Sequence, residues 1–298
     1  MGFYSLILGG SKMVKLNRFP EGKKKAFTAS YDDGAIQDLR LIELFKKYKI
    51  KATFNLNSGL FGKTQSFHME DSTTIVRSKK EDIQDLYYGF EVAVHTQTHP
   101  FLTIMPKNFI VQEILEDKKC LEELVGYPIR GMALPFGLGN DTITNLSKVL
   151  GIEYIRTVQS QQQFLVPDNF MCWNPTCHHA VDNLEELGKE FLKPSIDERT
   201  LGQTGAMQLF YLWGHSYEFD YNIGGNSWKA IEEFLKLISY REDIWYASNI
   251  QIVDYIAAQR GLRFSSEGNS VYNPSCFDVW ISLDEEAVCI KAGECVRF

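Results

Sequence analysis

The chain has 298 residues, of which 44% are hydrophobic and 23% are charged, and its formal net charge is −7. This length allows one large domain with an appendage, or two modest domains. The negative charge argues against nucleic-acid binding, which needs a basic surface, and the sequence lacks the roughly 20 successive apolar residues of a membrane-spanning helix. We therefore expect neither nucleic acid nor a membrane as a partner.

The start of the sequence, MGFYSLILGGSK, has an apolar run but no basic leader, so it is a poor match to a signal peptide. The six cysteines form no CxxC pair, as is typical of reduced thiols. Both features predict a cytoplasmic protein. Cys172, Cys177 and His178 could contribute to a metal site, but a structural zinc needs four ligands and no second pair is visible.

Apolar runs alternate with amphipathic segments from Ala26 to about Arg260. AFTASY predicts a strand, IQDLRLIELFKKY a helix and KATFNLN a second strand, so the opening unit is βαβ. The alternation continues through the apolar runs FEVAV, GMALP, IEYIRTV, MQLFYLWG and IWYA. The helices between them include one that should end at Gly126 and a last one that should end at Gly261.

Six or seven such units predict an α/β fold, and more specifically a closed barrel rather than an open doubly wound sheet. Every polar side chain of chemical interest follows a predicted strand, and a barrel gathers those strand ends on one face. Residues 262–298 alternate apolar and polar residues without a helical pattern, which predicts a small antiparallel β unit. We expect an N-terminal extension over 1–20, the barrel over 21–261, and the β unit over 262–298.

The segment 60–82, which contains His68, is a polar excursion between two units of the barrel. We expect it to form a β-hairpin or a lid loop, with His68 on the surface.

The stretch SYDDG (30–34) places Asp32 and Asp33 side by side after the first predicted strand. Asp33 could cap a helix that begins near Ala35 or Ile36, but this would leave Asp32 beside an unpaired like charge. A metal ion resolves the repulsion, because one carboxylate can bind the cation while the other accepts a proton from water.

The stretch HTQTHP (95–100) holds two histidines spaced as in helical zinc proteases, but Thr96 stands where those have Glu. Pro100 disfavours a helical backbone at His99, so we expect both histidines on a loop. They are either metal ligands or ordinary polar loop residues. One aspartate with His95 and His99 makes a three-ligand set that leaves room for water and substrate, as hydrolysis of an ester or amide requires.

Taken in order, these stretches resemble the motifs of the polysaccharide deacetylases, carbohydrate esterase family four. SYDDG is similar to the first motif, HTQTHP to the second, ALPFG (133–137) to the third and LFYLWGH (209–215) to the fifth. The resemblance covers residues 26–260. It implies a distorted (β/α) barrel of about seven units.

The resemblance also implies roles for individual residues. Asp32 would be the general base, while Asp33, His95 and His99 would hold one divalent metal ion. Zinc is the expected metal, with cobalt, nickel and manganese as alternatives, because availability often decides among them. His215 would be the general acid, although a histidine in that place could instead complete a buried strand.

Further residues would shape the substrate site. The resemblance implies that Thr96 braces the metal loop by a hydrogen bond and that Leu212 lines the acetyl pocket. In the stretch ALPFG, which contains Pro135, the backbone N–H of Phe136 suits an oxyanion that forms during hydrolysis. Trp173 could form a wall against the acetyl group.

Two departures from the family pattern stand out. Ala133 occupies the position of the third-motif arginine, which steadies the catalytic aspartate; Arg130 should face the opposite side of its strand, and Arg156 is another candidate.

The fourth motif, which supplies an aspartate and a tryptophan near the acid histidine, is not recognisable. His178 and His179 stand in that region, either lining the cleft or serving the structure. Glu218 and Asp182 are candidate partners for His215.

These observations predict a metal-dependent hydrolase that removes an N- or O-acetyl group from a carbohydrate, and the expected carbohydrate contains N-acetylglucosamine. One alternative is hydrolysis of another amide, such as a cyclic imide or ureide, on the same barrel. The other is a catalytically silent barrel that binds carbohydrate. The acetylated carbohydrate is the only partner the sequence predicts, and it does not indicate an oligomeric state.

Overall fold

The computed structural model describes residues 5–7, 13–67, 73–194 and 207–298, so His68 lies outside the described residues. Its helices are α1 (Asp38–Lys47), α2 (Ile83–Leu86), α3 (Lys107–Val125), α4 (Asp141–Val149), α5 (Leu184–Leu192), α6 (Trp228–Ile238) and α7 (Asn249–Arg260). Its strands are β1 (Ser5–Ile7), β2 (Met13–Lys15), β3 (Lys25–Asp32), β4 (Ala52–Leu56), β5 (Thr64–Phe67), β6 (Thr73–Val76), β7 (Glu91–Val94), β8 (Gly131–Ala133), β9 (Tyr154–Arg156), β10 (Cys177–His178), β11 (Gln208–Gly214), β12 (Ile244–Tyr246), β13 (Arg263–Phe264), β14 (Ser270–Tyr272), β15 (Val279–Leu283), β16 (Glu286–Ile290) and β17 (Cys295–Arg297).

A curled parallel sheet forms the centre of the molecule, in the order β10-β11-β3-β4-β7-β8-β9, and β12 pairs with the start of β3. The segment that precedes β10 links the two ends of this order. Trp173 forms a parallel bridge with Arg156 of β9, and four residues later Cys177 pairs with Leu212 of β11. The predicted distorted (β/α) barrel is therefore confirmed, with one irregular segment in its wall.

The two faces of β3 show how the sequence positions the site. All eight of its residues are buried. Phe27, Ala29 and Tyr31 pack in the core between the sheet and the helices. Because side chains alternate along a strand, Asp32 falls on the opposite face, inside the barrel and at the carboxyl end of the strand.

The predicted carboxyl ends of α3 and α7 agree with the structure, but the predicted start of α1 does not. Helix α3 ends before Gly126, which adopts a left-handed φ of 77°, and α7 ends before Gly261. Helix α1, however, begins at Asp38 rather than near Ala35 or Ile36, so Ile36 lies in the turn before the helix. Ile36 is 48% exposed, since the chain is still in a turn there.

The last residues form small antiparallel sheets, as expected. The strands β13, β14 and β17 make one sheet, and the hairpin β15–β16 joins β2 and β1 in another. Val14 of β2 packs with Val279, Ile281 and Ile290 in a separate small core that also contacts α7. The start of the chain thus completes the C-terminal β unit. None of the helices within the described ranges is long and apolar enough to cross a membrane.

The polar excursion contains the hairpin that the sequence predicted. Strands β5 and β6 pair antiparallel from Thr64 with Val76 to Phe67 with Thr73. The hairpin is tied to the barrel because the hydroxyl of Tyr221 accepts a hydrogen bond from Thr74 N at 3.1 Å and donates one to Thr74 O at 2.9 Å. This arrangement places the hairpin beside the carboxyl ends of the strands.

Candidate active site

Two aspartates lie where β3 ends, in different backbone conformations. Asp33 has a left-handed φ of 82° and Gly34 a φ of 62°, so the chain turns sharply immediately after Asp32. Asp32 is buried and accepts a hydrogen bond from Asn55 Nδ2 at 2.7 Å. Helix α1 starts with Gln37 at its N-cap position and has no side-chain cap. Asp33 therefore does not cap this helix, and its carboxylate faces the barrel opening instead.

The histidine loop brings two imidazole rings to the same place. His95 Nδ1 lies 2.9 Å from the carbonyl oxygen of Ala133, so an Nδ1–H donates there and Nε2 keeps its lone pair for a ligand. His99 has a φ of 58°, which excludes a helical arrangement of the pair. Its Nε2 is 4.0 Å from Asp33 Oδ1. The predicted loop geometry is present.

Asp33, His95 and His99 can hold a metal ion. One ligand atom from each lies within 4.8 Å of the other two, so small movements would bring all three to a common centre. Burial lowers the pKa of His95, and burial followed by the charge of His95 lowers the pKa of His99 to about 4. Both rings are therefore neutral at pH 7, which is the form that binds a cation.

The metal loop is braced by residues that sequence reasoning missed. The Thr96 hydroxyl is buried and has no hydrogen-bond partner among the described residues, so the expected brace is not seen in this structure. Instead, Asn57 Nδ2 donates to the carbonyl oxygens of His95 at 2.5 Å and Thr96 at 2.9 Å. Asp117 Oδ2 accepts the His95 N–H at 3.1 Å. Asn57 directly follows β4, which is the one signal that could have indicated it.

Arg156 is the partner of Asp32. Its side chain is fully buried, and Nη2 donates a hydrogen bond to Asp32 Oδ2. Burial alone would raise the pKa of Asp32, but the charge of Arg156, followed by those of His95 and His215, lowers it to about 2. Arg130 points elsewhere and makes a double hydrogen bond to Asp254 at 2.7 and 2.6 Å.

A second arginine reaches the site from the hairpin. Arg77 follows β6, its side chain is 2% exposed, and its Nη2 lies 3.0 Å from Asp33 Oδ1 and 3.2 Å from Gln65 Oε1. Burial would raise the pKa of Asp33, and Arg77 is the first of the charges that lower it instead. Nothing in the motif pattern indicated this ion pair.

His215 lies across the opening from Asp33, at the end of β11. Its Nε2 is 3.9 Å from Asp32 Oδ2, and its Nδ1 is 3.1 Å from Glu218 Oε1. Burial would lower the pKa of His215, but the charge of Glu218 and its hydrogen bond raise the pKa to about 9. His215 therefore lines an opening instead of completing the core. Asp182, the other candidate partner, is exposed and has no described contact with His215.

These groups surround a cleft of about 650 Å³. Its polar lining includes both aspartates, His95, His99, Arg77 and His215, and the apolar part of the lining consists of Ile75, Leu134, Phe136, Val158, Trp213 and Ile223. Phe136 stacks on Phe101 with ring centres 3.9 Å apart and packs against the ring of His99. Pro135 is buried and does not line the cleft; it belongs to the turn that carries Phe136.

Two residues predicted to contact substrate are in the core instead. Trp173 is 1% exposed and packs against Tyr154 and Tyr211, because it belongs to the segment that closes the barrel. Leu212 is fully buried in the core between the sheet and the helices. Side chains alternate along β11, so the next residue, Trp213, is the one that lines the cleft.

A cysteine-containing metal site is not formed. Cys172 is exposed, whereas Cys177 is buried and burial raises the pKa of its thiol to about 12. Among the residues that the structure describes, the groups able to hold a metal are Asp33 with His95 and His99, and His178 with His179 and Glu218. Neither group includes a cysteine.

Known proteins resemble this chain over part of its length. Residues 20–155 match the family model described as polysaccharide deacetylase. The resemblance read from the motifs is confirmed. No curated protein matches the sequence.

Among solved structures, a candidate polysaccharide deacetylase from Mycobacterium smegmatis is similar over 87% of this chain and 96% of its own, with 17% identity and a TM-score of 0.57. At this identity the likeness shows the fold.

A variant of peptidoglycan deacetylase PdaC from Bacillus subtilis matches over 81% of this chain and 95% of its own, with 17% identity and a TM-score of 0.47. The deacetylase PplD from Streptococcus pyogenes matches over 49% of this chain, with 21% identity and a TM-score of 0.41. The matched part spans 61% of the length of that protein.

In the polysaccharide deacetylase pattern, the arginine that steadies the catalytic aspartate belongs at Ala133. In this chain Ala133 of β8 is paired in register with Arg156 of β9. Arg156 therefore lies on the adjacent strand at the same level of the sheet as Ala133. The departure in sequence leaves the interaction with Asp32 in place.

Proposed function

We propose that this protein is a metal-dependent deacetylase that removes acetyl groups from an N- or O-acetylated carbohydrate. The observation that carries the proposal is that a metal-ligand set, a candidate base and a candidate acid surround one cleft. Asp33, His95 and His99 form a ligand set, Asp32 lies beside it, and His215 lies 3.9 Å from Asp32 on the other side. The match to the polysaccharide deacetylase family supports the same reaction class.

Asp33, His95 and His99 would hold the divalent metal ion, for which zinc is the first candidate. When bound, such an ion polarises the acetyl carbonyl and makes water a better nucleophile. Two of these residues, Asp33 and His95, are preorganised by buried contacts of this chain. Asp33 is held by Arg77, and the His95 loop by Asn57 and Asp117.

Asp32 is the general base in this proposal. It is ionised at neutral pH, because Arg156 and two neighbouring histidines lower its pKa to about 2. It accepts a proton from the water that attacks the acetyl carbonyl, and a new C–O bond forms as the carbonyl oxygen takes up negative charge.

His215 is the general acid. Its pKa of about 9 keeps the ring protonated at neutral pH. As the C–N or C–O bond to the sugar breaks, His215 Nε2 donates its proton to the departing nitrogen or oxygen, and acetate remains. Glu218 stabilises the protonated ring through its contact with Nδ1.

The backbone N–H of Phe136 is the proposed donor to the oxyanion. Phe136 has a left-handed φ of 58°, and no backbone or side-chain group among the described residues accepts a hydrogen bond from its N–H. Leu134, Val158 and Trp213 supply apolar surface near this donor, as a methyl group requires. We propose a small acetylated oligosaccharide containing N-acetylglucosamine as the substrate.

The test is acetate release from a panel of acetylated chito-oligosaccharides, using protein stripped of metal and resupplied with zinc, cobalt, nickel or manganese. We expect acetate only when a divalent ion is restored. Asp32→Asn is the matched control, since it keeps the three proposed ligands. Tight metal binding without acetate from any sugar would contradict the proposal and favour another amide, such as a cyclic imide, or a silent barrel.

A further inference from the structure

Three imidazole rings converge on Glu218. Its Oε1 lies 3.1 Å from His215 Nδ1, and its Oε2 lies 3.2 Å from His178 Nε2 and 2.7 Å from His179 Nε2. Glu218 and His215 follow β11, whereas the other two histidines come from the end of β10, its parallel neighbour. The catalytic scheme described above gives His178 and His179 no part, so their convergence on Glu218 needs an explanation.

The neighbours of His178 and His179 fix where each ring carries its proton. His178 Nδ1 accepts a hydrogen bond from Ala180 N at 3.1 Å, so the proton of the neutral ring is on Nε2 and faces Glu218. His179 Nδ1 lies 3.2 Å from the hydroxyl of Tyr31. A tyrosine hydroxyl carries its proton at neutral pH, so it can donate a hydrogen bond to Nδ1.

This pattern favours proton donation to Glu218 over metal binding at the same place. A metal would need the lone pair of His178 Nε2, but in the neutral ring that atom holds the proton while Nδ1 accepts from Ala180. His179 Nε2 is near the carboxylate without pointing in line at it, so its contribution is a close dipole and not an ideal hydrogen bond. The two rings and the backbone N–H of His215, at 3.4 Å, surround Oε2 and leave Oε1 for the His215 ring.

We propose that His178 and His179 are positioning residues that hold Glu218, and through it keep the Nδ1–H of His215 on Glu218 and its Nε2 facing the cleft. The proposal deepens the deacetylase function and rests on it for the role of His215. Its reason is geometric: a carboxylate held from one side by two rings presents its other oxygen in one direction. The His215 ring then cannot rotate away from Asp32 without losing that contact.

The packing indicates which of the two histidines can be replaced. His179 is fully buried between Tyr31 and Phe219, and a Cβ added at Gly214 would lie 2.2 Å from its Nδ1. Substitution there would disturb the core. The side chain of His178 is 20% exposed, so a change at this position can be tolerated.

The experiment compares wild type, His178→Ala and His178→Gln as metal-loaded full-length proteins. Glutamine carries an N–H at nearly the distance of His Nε2, so it is the conservative control. Each protein is assayed on an N-acetylated chito-oligosaccharide, whose amine must be protonated to leave, and on 4-nitrophenyl acetate, whose leaving group needs no proton. Nitrogen NMR of the His215 ring, recorded above the His215 pKa of about 9 so that the ring is neutral, reports the tautomer without requiring turnover.

We expect His178→Ala to lower kcat on the amide at least tenfold, with unchanged KM, unchanged metal content and little change on the aryl ester. The Nδ1–H signal of His215 should weaken in that variant, and His178→Gln should restore both properties. Equal losses on the two substrates, or an unchanged His215 tautomer, would overturn the proposal. So would a second equivalent of bound zinc that disappears with His178, since this would make the cluster a metal site.

The two proposals fail differently. If wild type hydrolyses neither substrate with any metal, the proposed function fails, and the NMR comparison alone then decides the positioning role. If wild type is active while His215 keeps its tautomer in His178→Ala, the positioning role fails and the proposed function stands.

Discussion

Arg156 donates a hydrogen bond to Asp32 from the strand position paired in register with Ala133. A guanidinium at this height in the barrel can reach the aspartate from either of two adjacent strands. Asp32 therefore has an arginine partner although Ala133 stands at the motif position. This pairing also explains how Asp32, buried inside the barrel, stays ionised.

Loss of Arg156 should impair activity, and a new arginine at position 133 should restore part of it. Arg156→Ala removes the charge that lowers the pKa of Asp32, so the pKa rises and Asp32 takes up a proton as pH falls toward neutrality. We expect kcat/KM at pH 7 to fall at least tenfold and the acid limb of the pH–rate profile to move to higher pH. Adding Ala133→Arg should recover at least part of the activity.

The control for this prediction is Arg130→Ala, because Arg130 pairs with Asp254 outside the site. Its pH profile should match that of wild type. An unshifted acid limb in Arg156→Ala would mean that Arg156 does not keep Asp32 ionised.

Asp32→Asn should separate metal binding from turnover. The amide keeps the shape of the side chain but cannot accept a proton from water. We expect kcat to fall by about 10³-fold, within the range for loss of a general base. Metal analysis of the purified variant should show the same content as wild type, and loss of the metal would place Asp32 among its ligands instead.

Loss of a metal ligand should weaken metal binding, whereas Asp32→Asn should leave metal binding unchanged. Asp33→Ala or His99→Ala should lower the affinity for zinc by more than a hundredfold, measured by competition with a chelator. Asn57→Ala should lower it by about tenfold, because Asn57 holds only the backbone of the His95 loop. Full metal retention in His99→Ala would exclude it as a ligand.

The sequence alone was sufficient to predict those site residues that lie together in one short stretch. SYDDG and HTQTHP each place two functional residues within a few positions of a strand end, so the chain itself brings them into the barrel opening. Those residues are found together as predicted. The general architecture followed for a similar reason, since alternating strands and helices leave few topologies.

The residues that sequence reasoning missed come from distant parts of the chain. Arg77 arrives on a hairpin and Arg156 from a strand whose register against β8 no pattern reveals. Trp173 was misplaced because the segment before β10 joins the barrel wall, which its polar sequence did not indicate. The loop contact that the sequence assigned to the Thr96 hydroxyl is made instead by Asn57, which donates to the backbone carbonyl oxygen of Thr96.

The one-residue difference between Leu212 and Trp213 gives a direct test of the cleft. Leu212→Ala should cost about 2–5 kcal/mol in the free energy of unfolding, because it leaves a cavity between sheet and helices, with KM unchanged. Trp213→Ala should raise KM severalfold, because Trp213 lines the cleft. Denaturant titration and steady-state kinetics of both variants provide the comparison, and a raised KM in Leu212→Ala alone would reverse the assignment.

The loss of activity at high pH should be set by the pKa of His215. The acid must be protonated to act, so activity persists below the pKa of about 9 and falls as pH rises through it. Asp32 and Asp33 also raise the pKa of His215, but Glu218 is the largest of the charges that do so, and it makes the hydrogen bond to the ring. Glu218→Gln removes that charge, so burial should then dominate and the pKa should fall toward or below 6.5.

We therefore expect the basic limb of kcat in Glu218→Gln to move down by more than one pH unit on the amide substrate. Activity at pH 9 should fall far more than activity at pH 6. The same variant on 4-nitrophenyl acetate should keep a profile like that of wild type, because its leaving group needs no proton. A basic limb that stays at pH 9 on the amide would show that His215 is not the group that protonates the leaving amine.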